Sequence, residues 1–127
     1  MKDTMMHNTY FCDTYAIIEL IKGNPNYQKY VDSILITSPF NLAELYYILL
    51  REYGTEFADG YFLLWSMSAV DIQNKVIPGA MQFRLANKKD NLSYTDCVGY
   101  TFSCQQNIRF LTGDQKFEGK ESVEFVK

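Results

Sequence analysis

Residues 9–20 read TYFCDTYAIIEL, a short β-rich run followed at once by the start of an amphipathic helix. β-Branched and aromatic residues favour extended backbone, so residues 9–12 predict a strand. Asp13 is a good N-cap, and Gly23 suits the left-handed position after a helix, so the helix is predicted to run from Thr14 to Gly23. A strand leading directly into a helix is the first half of a β-α-β unit and indicates an α/β fold.

The same alternation of short β-rich runs and longer helical patterns continues along the chain. Strands are predicted at residues 9–12, 34–37, 69–72, 109–112 and 123–126, and helices at 14–23, 25–33, 42–53, 55–65, 75–89 and 93–107. We therefore expect a mostly parallel, twisted, five-stranded sheet flanked by helices. No linker rich in Pro, Gly or Ser divides the sequence, so residues 1–127 are expected to form a single domain.

The composition excludes several classes of protein. With 47% hydrophobic residues the chain is not disordered, and its apolar runs, such as LYYILL, are too short to span a membrane. The N-terminal residues MKDTMMHN lack the apolar segment of a signal peptide, so we expect a cytoplasmic protein without membrane association. Three cysteines without a C-x-x-C pair favour a reducing compartment, and Cys97 and Cys104 are expected to be buried on one helix face.

The net charge of −3 argues against a protein that binds nucleic acid passively. It argues less strongly against a metal-dependent nuclease, because two bound divalent ions would change −3 to +1. The net charge therefore does not exclude a metal-dependent enzyme that acts on nucleic acid.

Four acidic residues lie beside predicted strand ends or helix starts: Asp13, Glu44, Asp96 and Asp114. Each has a local interpretation: an N-cap for Asp13, a solvated helix position for Glu44, a capping box with Ser93 for Asp96, and a turn for Asp114. Their joint occurrence favours a shared site, since open parallel sheets bind ligands at the carboxyl ends of their strands. Clustered carboxylates without a His or Cys set are hard ligands suited to Mg²⁺ or Mn²⁺. The lone histidine, His7, is expected to be a tail residue.

Four short motifs carry a resemblance to a known family: DTYAIIEL at residues 13–20, NLAEL at 41–45, LSYTDCVG at 92–99 and FLTGDQKF at 110–117. In this order and spacing they resemble the motifs of PIN-domain nucleases, most closely the small prokaryotic toxins of the VapC group. The resemblance extends from about Tyr10 to Val126. Two positions depart from the pattern: Lys116 stands where members often carry a second acid, and Gly99 stands where larger residues are usual.

The resemblance implies a Mg²⁺- or Mn²⁺-dependent endoribonuclease that is the toxin of a toxin–antitoxin pair. It implies an RNA substrate rather than DNA, a homodimer and a cognate antitoxin. The four acids would be the catalytic, metal-binding residues for one or two ions. The unusual aromatic content, ten Tyr and nine Phe, also favours a hydrophobic surface for a partner.

Further residues are candidates for supporting roles. Thr14 and Thr112 each lie close to a candidate acid and are expected to hydrogen-bond the carboxylates or the waters of a metal ion. The candidate phosphate contacts are Arg84, Lys88, Lys89 and Lys116, for each of which a solvated surface charge is an equally good interpretation.

Two alternatives remain open. The first is a catalytically inactive PIN-like interaction module in which the acids only cap helices. The second, less compatible with the sequence, is a receiver-type phospho-signalling domain, which also clusters acids and binds Mg²⁺. A receiver needs an acidic pair after the first strand and an aspartate just after the third, whereas Asp13 stands alone and Asp71 lies within its predicted strand.

Overall fold

The computed structural model describes residues 8–127, which form a four-stranded, fully parallel sheet. The strands are β1 (Thr9–Cys12), β2 (Ile34–Ile36), β3 (Arg109–Thr112) and β4 (Val123–Phe125), arranged in the order β2-β1-β3-β4. In the centre, Phe11 of β1 is in register with Ile36 on one side and Phe110 on the other. The central strands β1 and β3 therefore end side by side at the same edge of the sheet.

Within residues 8–127, five α-helices connect and cover the strands: α1 (Thr14–Lys22), α2 (Pro39–Tyr53), α3 (Thr55–Ser66), α4 (Val76–Ala86) and α5 (Tyr94–Gln105). Three short 3₁₀ turns lie at Pro25–Tyr30, Lys88–Asp90 and Gln115–Phe117. The end of α1 is as predicted, because Gly23 adopts the left-handed conformation with φ of 75°. The segment predicted as a second α-helix forms the first of the 3₁₀ turns instead.

The prediction of five strands is wrong at residues 69–72. This segment makes a single parallel bridge, between Ala69 and Thr37. The neighbouring strand β2 has already ended, and the chain turns into α2 through Ser38, which caps that helix, and Pro39, which has no backbone N–H to donate. A fifth strand therefore finds no partner along its length.

Alternating side chains of the central strands build a core on each face of the sheet. Cys12 and Leu111 point to the face covered by α1, α2 and α3. Phe11 and Phe110 point to the opposite face, where they pack with residues of α4 and α5. Helices on both faces of a parallel sheet confirm the predicted α/β class.

Helix α5 packs unusually close to the sheet at Gly99. A Cβ atom at this position would lie 2.7 Å from Cε1 of Phe11, a fully buried ring, so the absence of a side chain permits the close approach. The buried face of α5 includes Gly99, Tyr100 and Ser103. Cys104 is one residue, about 100° of helix rotation, beyond Ser103 and is exposed, so the prediction that it is buried is wrong, whereas Cys97 is buried.

None of the helices within residues 8–127 is both long enough and apolar enough to cross a membrane.

Candidate active site: an acidic cleft at the carboxyl ends of the strands

Asp13 lies at the point where β1 passes into α1. As predicted it is the N-cap of α1, and its Oδ1 accepts a hydrogen bond from Ala16 N at 2.8 Å. Its Oδ2 accepts a hydrogen bond of 2.5 Å from Oγ1 of Thr112, the last residue of β3. Only 2% of Asp13 is exposed to solvent, because the two strand ends enclose it.

Thr112 also connects Asp13 to Asp114. Its Oγ1 accepts a hydrogen bond of 3.0 Å from Asp114 N. The Asp114 side chain accepts from Lys116 N at 3.0 Å, the local turn contact that the sequence predicts. One threonine side chain thus fixes the positions of two acidic residues.

Thr14, the first residue of α1, connects this helix to Glu44 of α2 by a hydrogen bond. The Thr14 hydroxyl donates to Glu44 Oε1 at 2.7 Å and accepts from Asn41 Nδ2 at 3.1 Å. Asn41 in turn accepts a hydrogen bond of 2.7 Å from Ser38, the N-cap of α2. Sequence reasoning missed Asn41 and Ser38, which are both buried. The available signal was the spacing N-x-x-E within NLAEL, which places Asn41 and Glu44 on one helix face.

Asp96 belongs to the predicted capping box at the start of α5. Its backbone N donates to Ser93 Oγ at 3.0 Å, and Ser93 N donates to Asp96 Oδ2 at 3.4 Å. This local role does not remove Asp96 from the acidic cluster, since Asp96 also lines the cleft that contains the other three acids.

The four carboxylates line one open cleft of about 440 Å³ at the carboxyl ends of the strands. The other lining residues are Thr14, Tyr15, Ile18, Tyr47, Ile48 and Ser93. The cleft is therefore lined by carboxylates together with aromatic and aliphatic side chains. No lysine or arginine of the described part of the chain lines it.

The charges of the cluster act on one another. Burial, with smaller contributions from the charges of Asp96 and Asp114, raises the pKa of Asp13 from 3.8 to about 7 against the opposing hydrogen bonds from Thr112 and Ala16. Burial also raises the pKa of Asp96, with Glu44 and Asp114 adding to the effect and Ser93 opposing it. Neighbouring carboxylates of the cluster thus repel one another, and the raised pKa leaves Asp13 partly protonated near neutral pH.

The chemistry of the donor set fits a hard divalent cation, since it consists of carboxylates and hydroxyls. Within residues 8–127, no three Asp, Glu, His or Cys side chains are grouped so as to hold a metal ion as they stand. The carboxylates are held through hydrogen bonds by Thr112, Thr14 and Ser93, and they repel one another. The cleft therefore offers suitable ligand atoms, and a cation would relieve the repulsion between them.

The predicted phosphate contacts lie outside the lining of the cleft. Arg84 stacks its guanidinium 4.7 Å from the ring of Tyr94 and donates from Nε to Leu92 O at 2.9 Å. Lys116 Nζ donates to Asn91 O at 3.2 Å, and the exposed residues Lys88 and Lys89 lie on a 3₁₀ turn. Their role stays a prediction. His7 lies outside the described residues.

Comparison with known families gives the decisive observation. A family model described as PIN domain matches residues 10–121, most of the chain and all four acidic positions. The chain belongs to the PIN domain family. This membership confirms the resemblance seen in the sequence and removes the receiver alternative. The PIN domain gives no significant match to a curated protein sequence.

Solved structures share the fold of this PIN domain. The toxin VapC20 of Mycobacterium tuberculosis, described as cleaving the sarcin-ricin loop, superposes with a TM-score of 0.77 at 17% identity, covering 93% of this chain and 99% of that one. VapBC2 of Rickettsia felis, bound to a promoter DNA fragment, gives 0.74 at 17% identity, with 94% and 99% covered. A toxin–antitoxin complex from Klebsiella pneumoniae gives 0.72 at 13% identity, with 91% and 95% covered.

Proposed function

We propose that this PIN domain is a cytoplasmic Mg²⁺- or Mn²⁺-dependent endoribonuclease of the VapC type. The observation that carries the proposal is the convergence of four carboxylates in one cleft, with Asp13 buried among them. A buried carboxylate whose pKa is raised to about 7 destabilises the fold at neutral pH, and such sites are typical of function rather than of structure alone. The shared fold with VapC structures supports the same reading.

In this proposal Asp13, Glu44, Asp96 and Asp114 hold one or two cations. A Mg²⁺ or Mn²⁺ ion held there would supply Lewis-acid chemistry, lowering the pKa of a water molecule and neutralising charge on phosphate oxygens. Thr112 positions Asp13 and Asp114 relative to each other. Asp13 would have to be ionised to hold such an ion, because a ligating carboxylate must be deprotonated.

The hydrogen bonds from Thr14 and Asn41 give Glu44 a fixed orientation. Such supporting contacts preserve the geometry that metal ligands need. Lys116, in place of a second acid near Asp114, favours occupation by one ion rather than two. Isothermal titration with Mn²⁺ counts the ions directly.

The test is cleavage of RNA with and without divalent ions. Wild-type protein should cleave with Mg²⁺ or Mn²⁺ and lose activity with EDTA. Asp13→Asn should abolish cleavage, because the amide keeps the capping geometry and loses the charge. Asp32→Asn, a change of an exposed residue outside the cleft, is the matched control and should retain activity. A wild-type protein that neither cleaves RNA nor gains thermal stability from Mn²⁺ is instead the inactive interaction module.

We further propose an antitoxin partner and a homodimer. Helices α2 and α3, with the residue that follows α3, expose large apolar side chains, among them Tyr53, Leu63, Leu64 and Met67, the last with 85% of its surface exposed. Exposed apolar surface of this kind favours protein partners. Two solved structures of the same fold are named for toxin–antitoxin pairs. Co-expression with any small adjacent reading frame tests capture and inhibition, and sedimentation at tens of micromolar, where weak dimers are populated, tests the dimer.

A further inference from the structure

The two residues that follow β4, Val126 and Lys127, are held at the carboxyl edge of the sheet. Val126 N donates to Thr112 O at 2.9 Å, which continues the hydrogen bonding between β4 and β3 past the end of β4. The carbonyl oxygen of Val126 accepts from the Tyr27 hydroxyl at 2.6 Å. The carbonyl oxygen of Lys127 accepts from Asn26 Nδ2 at 3.1 Å. Three hydrogen bonds therefore fix this backbone segment beside the end of β3.

The same segment packs directly against Gly113, the residue between Thr112 and Asp114. Gly113 is buried, and a Cβ atom there would overlap both the Val126 carbonyl oxygen and Cε1 of the Tyr15 ring. Tyr15 lines the acidic cleft. A side chain at this position would have to displace a fixed backbone or the ring, so only glycine permits the close approach.

The side chain of Lys127 reaches this glycine. Its Nζ donates to Gly113 O at 3.2 Å and lies 5.4 Å from the centre of the Tyr15 ring, a cation–π contact. On the other side of the same peptide bond, Asp114 N donates to Thr112 Oγ1 at 3.0 Å. The Gly113 carbonyl and the Asp114 N–H belong to one planar peptide group. Both polar ends of that group are therefore hydrogen-bonded to side chains.

The orientation of this peptide group determines where the Asp114 side chain points. A planar peptide group rotates as a unit, and a hydrogen bond at each end opposes the rotation. Thr112 by itself holds only the N–H end, whereas Lys127 holds the carbonyl end. A carboxylate that ligates a metal ion depends on such outer contacts for its direction.

We propose that Lys127 is a positioning residue for Asp114 at the metal site. The proposal rests on the metal-dependent nuclease function proposed above and adds a residue outside the lining of the cleft. The positive charge of Lys127 by itself opposes the binding of a cation, since like charges repel. Its hydrogen bond to Gly113 O favours cation binding by holding Asp114. The two effects have opposite signs, so removal of the ammonium group distinguishes them.

The experiment uses Lys127→Met, which keeps the aliphatic chain and removes the ammonium group. In calorimetry the Kd for Mn²⁺ should rise roughly 10-fold, the size expected for loss of an outer contact of a metal ligand. In metal-free protein the Asp114 amide proton should exchange with solvent roughly 5-fold faster by NMR, as for the loss of one hydrogen bond. The Ala16 amide, which is bound to Asp13, should exchange at the wild-type rate. Lys127→Arg keeps the charge and the donors and should match wild type.

Lys29→Met is the matched control, because Lys29 Nζ also lies over a tyrosine ring, that of Tyr30 at 5.3 Å, and Lys29 does not line the cleft. This control should leave both readouts at wild-type values. A wild-type protein that binds no Mn²⁺ overturns the proposed function and this proposal together. If wild type binds Mn²⁺, an unchanged or lower Kd in Lys127→Met overturns this proposal alone, and so does an unchanged exchange rate of the Asp114 amide.

Discussion

Replacement of Asp13 by Asn should stabilise the metal-free protein at pH 8. Burial raises the pKa of Asp13 from 3.8 to about 7, and this difference corresponds to roughly 4 kcal/mol lost when the carboxylate ionises in the folded state. The amide keeps the cap to Ala16 but removes the oxygen that accepts from Thr112, at a cost of about 1–2 kcal/mol. We expect Asp13→Asn to be about 2–3 kcal/mol more stable than wild type at pH 8, a balance of these two effects.

The free energy of unfolding should depend on pH because the pKa of Asp13 is raised in the folded protein. Between pH 3.8 and about 7 the folded protein binds a proton at Asp13 that the unfolded chain has released, so stability falls as the pH rises. Wild type should lose roughly 2 kcal/mol through this group from pH 5 to pH 7, whereas Asp13→Asn should not. The two proteins should be nearly equal at pH 5.

Urea denaturation at pH 5, 6, 7 and 8 in EDTA measures these differences, and thermal unfolding gives a second reading. For a domain of this size 1 kcal/mol corresponds to about 3–5 °C in Tm. Asp32→Asn, exposed and outside the cleft, should follow wild type throughout. With Mn²⁺ added the order should reverse, because only wild type gains free energy from binding the ion. Asp13→Asn less stable than wild type at pH 8 in EDTA would refute this reasoning.

Three further predictions use the same assays. Asp96→Asn should change the free energy of unfolding by about 0.5 kcal/mol or less, since the amide can still accept a hydrogen bond from Ser93 N. The same variant should lose RNA cleavage. Retained cleavage would show that Asp96 only caps the helix. Thr112→Val should destabilise the protein by about 1–3 kcal/mol and weaken Mn²⁺ binding in calorimetry, and unchanged Mn²⁺ affinity would show that its positioning role is wrong. Gly99→Ala should destabilise the folded protein, because overpacking against Phe11 costs about 1–3 kcal/mol and outweighs the roughly 1 kcal/mol by which Ala favours a helix over Gly. A stabilised variant would contradict the close packing.

The local part of the structure was predictable because neighbouring residues determine it. Asp13 as an N-cap, Gly23 as the end of α1 and the capping box of Ser93 and Asp96 each depend on contacts within a few residues. The α/β class followed from the alternation of short β-rich runs and helical patterns. The number of strands did not, because a strand at residues 69–72 needs a partner that the early end of β2 and Pro39 remove.

The sequence by itself determined which acidic residues are candidates for one shared site, through residue types and motif positions that need no fold to recognise. Tertiary structure alone decided how they act together. Thr112 reaches Asp13 across 99 residues of sequence, and Asn41 and Ser38 join Glu44 through Thr14. Burial and the approach of like charges raise the pKa of Asp13. The hydrogen bonds and the raised pKa both depend on distances between distant parts of the chain. Residue order does not fix these distances, because they are set only when the folded sheet brings the strand ends together.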